Sequence, residues 1–294
     1  MSTTTVRFPI EKYSQIEGAR WTSCKVDDAL ISEEPLQIWL KHFSTPDPSP
    51  HLLATLMRTP GDDINLVRGW LYTSGLITSL AFIHTIHYMG QGRLKNTGSN
   101  QILVSVVKEA TVKLAQHQRQ EYVNSACGVC GQQSIEELLA LLENKTTKII
   151  NEQKLLQHAD ICAVAEKLEG RQLLFQQTGG NHGVALFDEQ LRILDVREDV
   201  GRHNALDKII GANAGLLIAE NTQAVSPPIG LILSGRVGFE MIQKAAMANI
   251  RYVLAFGAPS SLAVQLASET EIALVGFIKK HGYNVYSNPH LLKV

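Results

Sequence analysis

The chain has 294 residues, of which 45% are hydrophobic and 19% charged, and its formal net charge at neutral pH is -1. That length and apolar content suffice for a sizeable core in one large or two modest domains. A pI of about 6.8 argues against a general basic field for nucleic acid or anionic membrane, no run is apolar and long enough to span a bilayer, and four cysteines are too few for a disulfide scaffold.

Residues 1–15 lack the basic, then apolar, then small-residue order of a signal peptide, so a cytoplasmic location is expected. Over residues 35–43, Leu36, Ile38 and Leu40 alternate with polar or exposed positions as in a half-buried strand. A Pro/Ser-rich loop follows at 44–50, then a second apolar run at 52–57. Arg58, Thr59, Pro60, Gly61, Asp62 and Asp63 supply turn and helix-start chemistry, and the spacing of Leu66, Trp70 and Leu71 predicts a helix over 63–74. The segment 1–118 reads as a small mixed α+β domain, and 119–294 as an α/β domain.

Just after Cys127 and Cys130, Ser134 and Glu137 fit a capping box that starts a helix. A second helix over 154–168 places Leu155, Ala159, Cys162 and Ala165 on one face, which makes Cys162 core packing. Residues 183–187, a turn at 188–190 and residues 191–196 form an antiparallel hairpin. From there strands at 229–233, 252–256 and 272–278 alternate with helices at 238–248 and 260–268, a βαβαβ unit. Right-handed crossovers make these strands parallel, so the loops at 234–236, 257–261 and 279–282 gather at one sheet edge, the usual ligand edge of open α/β sheets.

Three clusters could carry chemistry. In Cys127-Gly128-Val129-Cys130-Gly131, glycines keep two thiols accessible, and half a zinc site, a redox dithiol and a sulfur carrier compete as readings. No second paired spacing completes a zinc site, and the preceding 121–126 is a poor strand for a thioredoxin-like site. A nearby helix N-terminus would raise the thiolate fraction. In the segment 197–208, Glu198, Asp199 and Lys208 read as a solvated loop and helix start, whereas Arg202, His203 and Asn204 read as ligand-facing. Thr178, Gly179, Gly180, Asn181 and His182 form a loop with one titratable group. His84, His87 and His158 sit in helical or apolar settings and are given no chemistry. Arg236 is placed to meet phosphate or an acid, and Lys279, Lys280 and His281 end the last parallel strand on the ligand edge.

Taken together these blocks resemble the formate dehydrogenase accessory sulfurtransferases, the FdhD family. The resemblance rests on residues 57–63 (MRTPGDD), 127–131 (CGVCG), 178–182 (TGGNH), 197–208 (REDVGRHNALDK), 233–236 (LSGR), 243–248 (QKAAMA), 258–263 (APSSLA) and 285–286, in family order. It implies a cytidine-deaminase-like three-layer α/β/α domain beside the smaller N-terminal domain. It also implies a homodimer that takes sulfur from a cysteine desulfurase as a persulfide on Cys127, with Cys130 assisting. The sulfur would pass to the molybdenum cofactor, Mo-bis(molybdopterin guanine dinucleotide), before that cofactor enters formate dehydrogenase. The cofactor's nucleotide part would meet Phe277, Ile278, Lys279, Lys280, His281 and Gly282. A cofactor chaperone without sulfur transfer and a dithiol oxidoreductase are the rivals. Two departures stand out: the long Pro/Ser-rich loop after Phe43, and Tyr283 where a basic side chain is expected after Gly282. Zinc deaminases need H-x-E and P-C-x-x-C, and this chain has neither, so no metal ligand set is expected.

Overall fold

The computed structural model describes residues 4–16, 20–43, 49–89, 100–107, 155–218 and 228–293. The expected Cys127–Cys130 pair and the capping box at 134–137 lie outside the described residues.

The chain opens with a long antiparallel ribbon, β1 (Thr5–Ile16) and β2 (Arg20–Ile31). Four strands then make a mixed sheet of order β4-β3-β6-β5: β3 is Glu34–His42, β4 His51–Arg58, β5 Ile83–Tyr88 and β6 Gln101–Val106. The expected alternation holds, since Leu36, Ile38 and Leu40 are all fully buried. Helix α1 (Asp63–Thr73) packs on this layer through Leu66, Val67 and Leu71, within one residue of the range its spacing predicts. β5 corrects the reading of His84 and His87, which lie exposed on a strand and not in a helical or apolar setting.

The second sheet has six strands in the order β13-β12-β11-β10-β8-β9. β8 (His182–Asp188) and β9 (Ile193–Asp199) form the expected hairpin; Leu191 has a positive φ of 61°, which extends the turn and delays the second strand to Ile193. β10 (Pro228–Leu233), β11 (Tyr252–Ala255) and β12 (Ala273–Lys279) are parallel, as the βαβαβ pattern requires. β13 (Gly282–Val285) folds back antiparallel on β12.

Helix α2 (His158–Glu169) covers one face of this sheet with Ile161, Val164 and Leu168. It starts later than the spacing implies: Leu156 and Gln157 form a short strand, β7, paired with Leu292 and Lys293 of β14, and Leu156 is the buried residue while Leu155 is exposed. Cys162 is only half-buried, so it is not core packing. A short helix, α3 (Leu173–Thr178), follows.

The opposite face carries α4 (Arg202–Ala212), α5 (Phe239–Met247) and α6 (Ser261–Glu269). Helix α1 lies between this layer and the four-stranded sheet, and one continuous apolar cluster runs through all of them. The α1–α4 crossing brings the two backbones into contact: a side-chain carbon at Gly69 would overlap the backbone of Asp207, and one at Gly211 the backbone of Asn65. A buried polar triad closes this interface, with Lys244 Nζ 2.9 Å from both carboxylate oxygens of Asp207 and 3.0 Å from Thr73 Oγ1.

Candidate functional site

The carboxyl ends of β10 and β11 bring the predicted loops at 234–236 and 257–261 into direct contact, and the end of β12 joins them through Phe277. Ser234 N donates to Gly183 O at 2.9 Å, and Gly183 N donates to Ser234 Oγ at 2.9 Å, so the first loop is tied to the start of β8. Gly257 N donates to Gly235 O at 3.2 Å, and Val237 bridges Pro259. Any side chain at Gly257 would meet that same carbonyl at 2.6 Å, which is why a glycine stands there. Phe277 N in turn donates to Gly257 O at 3.3 Å.

Because β8 runs antiparallel to β10, and β9 to β8, His182 and Asp199 pair at this same edge. Asp199 is fully buried and organises the ground beneath it. Its Oδ2 lies 2.7 Å from Lys208 Nζ and accepts from Thr59 N at 3.1 Å. Its Oδ1 accepts from Gly201 N at 2.8 Å and from Asn204 Nδ2 at 3.1 Å. Lys208 Nζ also donates to Thr59 O at 2.9 Å, and Asn204 Nδ2 to Met57 O at 2.7 Å. The solvated-loop reading of Asp199 and Lys208 is therefore corrected: a carboxylate and an ammonium this deeply buried persist because every charge is paired and hydrogen-bonded. Asn204, expected to face a ligand, is 9% exposed and spends its amide on the scaffold. Glu198 is corrected as well, since its carboxylate accepts from Leu174 N, Phe175 N and Asn181 Nδ2, each at 2.9 Å, and so clamps α3 to β9.

Arg202 and His203, at the start of α4, do remain at the edge. Arg202 Nε is buried without a hydrogen-bond partner. His203 is pushed down to about 4, by burial first, with Lys244 and Arg202 adding to it against the opposing pull of Glu240. Its Nδ1 lies 3.1 Å from Glu240 Oε2, but the ring is neutral at physiological pH, so this contact is not an ion pair there. His182 is lowered too, by burial and then by the charges of Arg202 and Arg236. Two guanidiniums thus act on one half-buried imidazole, a local field that favours an anion. Arg236 is exposed and makes no ion pair among the described residues.

Phe277, Ile278, Lys279, Lys280, His281 and Gly282 form the β12–β13 hairpin and its approach. Phe277 is 41% exposed and holds φ at +54°, a left-handed conformation costly for a bulky side chain. Lys279, Lys280 and His281 are all exposed. Tyr283 turns to the α2 side, where its hydroxyl meets His158 Nδ1.

Beside the edge opens a cleft with a volume of about 490 Å³, bordered by Gln172, Phe175, Asn181, His182, Ser234 and Phe256. Asn181 belongs to the 178–182 block, whereas Gln172 carries no local signal in the sequence, because its position depends on β8 passing beneath it.

The molecule is thus an α/β protein whose parallel strands end in a layered, cation-bearing edge with an adjoining cleft. It belongs to the FdhD/NarQ family, whose family model matches residues 31–293. It is 37% identical over 272 residues to the sulfur carrier protein FdhD of Streptomyces avermitilis, covering 90% of this chain and 88% of that one. The protein of the same name from Picrophilus torridus is 35% identical over 264 residues, covering 90% and 92%. In fold the chain resembles the crystal structure of a provisionally assigned formate dehydrogenase accessory protein from Desulfotalea psychrophila, with a TM-score of 0.65 at 21% identity, over 98% of this chain and 99% of that one. No helix among the described residues is long and apolar enough to cross a membrane.

Proposed function

We propose that this protein is a sulfur carrier that takes sulfur from a cysteine desulfurase and delivers it to a molybdenum cofactor destined for formate dehydrogenase. The observation that carries the reading is its kinship, across nine-tenths of its length, with proteins named sulfur carrier protein FdhD, in a chain that itself holds a glycine-flanked Cys127–Cys130 pair.

In this reading the Cys127 thiolate attacks the outer sulfur of the desulfurase persulfide, and the desulfurase thiolate leaves. Cys127 then bears the persulfide. Cys130 attacks the inner sulfur of that persulfide, and hydrosulfide departs toward the metal as a disulfide closes between the two cysteines. The two electrons that turn sulfane sulfur into sulfide come from the dithiol. The cargo is the bis-guanine-dinucleotide form of the cofactor, with its phosphates against the loops at 234–236, 257–261 and 277–282. The cationic field of Arg202 and Arg236 and the strained Phe277 support that placement. We also read the six-stranded domain as cytidine-deaminase-like, and the working unit as a cytoplasmic homodimer.

Replacing Cys127 by Ala should abolish formate dehydrogenase maturation in cells that depend on this protein, while purified protein still binds the guanine nucleotide. Full maturation with the Cys127→Ala protein would favour a cofactor chaperone that moves no sulfur.

A further inference from the structure

The ribbon of β1 and β2 has both faces in solvent along most of its length: residues 6–9, 11–15 and 21–28 are all exposed. Two strands alone are marginally stable in water, and here one face presents Phe8 at 55% and Val26 at 39% exposure. Such a ribbon gains most from a further strand, so its two outer edges decide what can join it.

The register shows which edge is open. In an antiparallel pair, opposed residues alternately exchange both backbone hydrogen bonds or turn both groups outward. Ser32 N donates to Thr4 O at 2.9 Å, so the even-numbered residues of the ribbon bond inward and the odd-numbered ones face out. Ala29 agrees: its N–H donates to the neighbouring Asp28 Oδ1 at 2.9 Å and not to β1. Pro9 is odd-numbered and has no N–H, so the outer edge of β1 lacks a donor near its middle. β2 has no proline, and its outward residues include Ser23, Lys25 and Asp27.

The charges on that edge are self-complementary. Lys25 and Asp27 are exposed and make no ion pair among the described residues. Glu11, directly opposite Lys25 within the ribbon, instead accepts from Ser23 Oγ at 2.8 Å. If β2 meets the β2 of a second copy antiparallel about a two-fold axis through Val26, Lys25 of each copy faces Asp27 of the other. Moving the axis by one residue sets Lys25 against Lys25 or Asp27 against Asp27. Moving it to residue 28 sets Asp28 against itself, and moving it to residue 24 leaves Lys25 and Asp27 unmatched.

We propose that two copies of this chain join edge to edge through β2, over residues 24–28, as a continuous sheet of order β1-β2-β2-β1. Backbone bonds run between Lys25 and Asp27 of opposite copies, Val26 packs on its own counterpart, and Phe8 and Ile10 of both copies extend the apolar face alongside. The Asp28 side chain, by holding Ala29 N–H, ends the pairing there. This interface rests on the homodimer proposed above and deepens it by naming the joining strand.

The test is sedimentation equilibrium of the full chain as wild type, Lys25→Asp, Asp27→Lys and the double variant. Each single variant opposes like charges at both symmetric pairs and should weaken dimerisation about tenfold, whereas the double variant restores the complement and should return to the wild-type value. That recovery separates lost pairing from a damaged fold. A covalent readout accompanies it, because residues 26 of the two copies form a non-hydrogen-bonded pair with Cα atoms about 4.5 Å apart, within reach of a disulfide. Val26→Cys in a Cys24→Ser background should therefore oxidise to a covalent dimer beyond the level of Cys24→Ser alone, and adding Lys25→Asp should lower its yield. Equal affinity in all four proteins, no recovery in the double variant, or no cross-link through Val26→Cys would each overturn the interface, while a dimeric wild type leaves the homodimer standing. A wild type that is monomeric at every concentration would overturn both.

Discussion

At the residue scale, the densest charged stretch in the sequence divides by burial into two jobs. Asp199 and Lys208 hold the Thr59 loop, the start of α4 and the end of β9 together. Arg202 and His203, from the same stretch, are left at the edge. Removing one member of the buried pair strands the other charge in the interior, so Asp199→Ala should lower unfolding stability by about 3–5 kcal/mol in urea denaturation. His203 gives a pH signature of known sign. Its ordinary value is 6.5 and the folded value is about 4, so between those limits the unfolded chain binds a proton that the native protein refuses. Its neutral state therefore contributes stability that is fully present above pH 6.5 and is lost as pH falls toward 4. A His203→Asn protein should show a shallower fall in unfolding free energy across that window than wild type; identical slopes would mean that the ring is not held neutral.

At the scale of elements, α1 and α4 approach through Gly69 and Gly211, with backbone against backbone. Gly211→Val should force the helices apart at a cost of about 1–3 kcal/mol or more, read as a lowered thermal midpoint. The sequence made the strongly periodic elements legible: β3, α1, the β8–β9 hairpin and the whole parallel unit lie close to their expected ranges. What it concealed depends on partners far along the chain. β1 and β2 make a ribbon of twelve residue pairs whose one face carries Val6, Phe8, Ile10, Val26 and Leu30. Residues 6, 8 and 10 alternate, but the mating strand sets Asp28 opposite Phe8, so the pattern reads as surface. The misplaced start of α2 has a similar cause, because Leu156 is claimed by Leu292 at the far end of the chain. Burial of Asp199 and Lys208 could not be read either, since charged runs are usually solvated and only the fold supplies Thr59 as a partner to both.

At the scale of the whole molecule, two sheets share one apolar core through α1, and the strand-end edge is braced by backbone bonds: Ser234 to Gly183, Gly257 to Gly235, and Phe277 to Gly257. In the proposed function, such an edge would hold the nucleotide-bearing cargo still while a thiol does chemistry on it. The central claim is that the thiol is Cys127. Its most direct test is the intact mass of the purified protein after incubation with a cysteine desulfurase and cysteine, for wild type, Cys127→Ala and Cys130→Ala. The proposed function predicts a gain of one sulfur, removed by reductant, in wild type and in Cys130→Ala but not in Cys127→Ala. A gain that persists in Cys127→Ala, or no gain in any of the three, would contradict it.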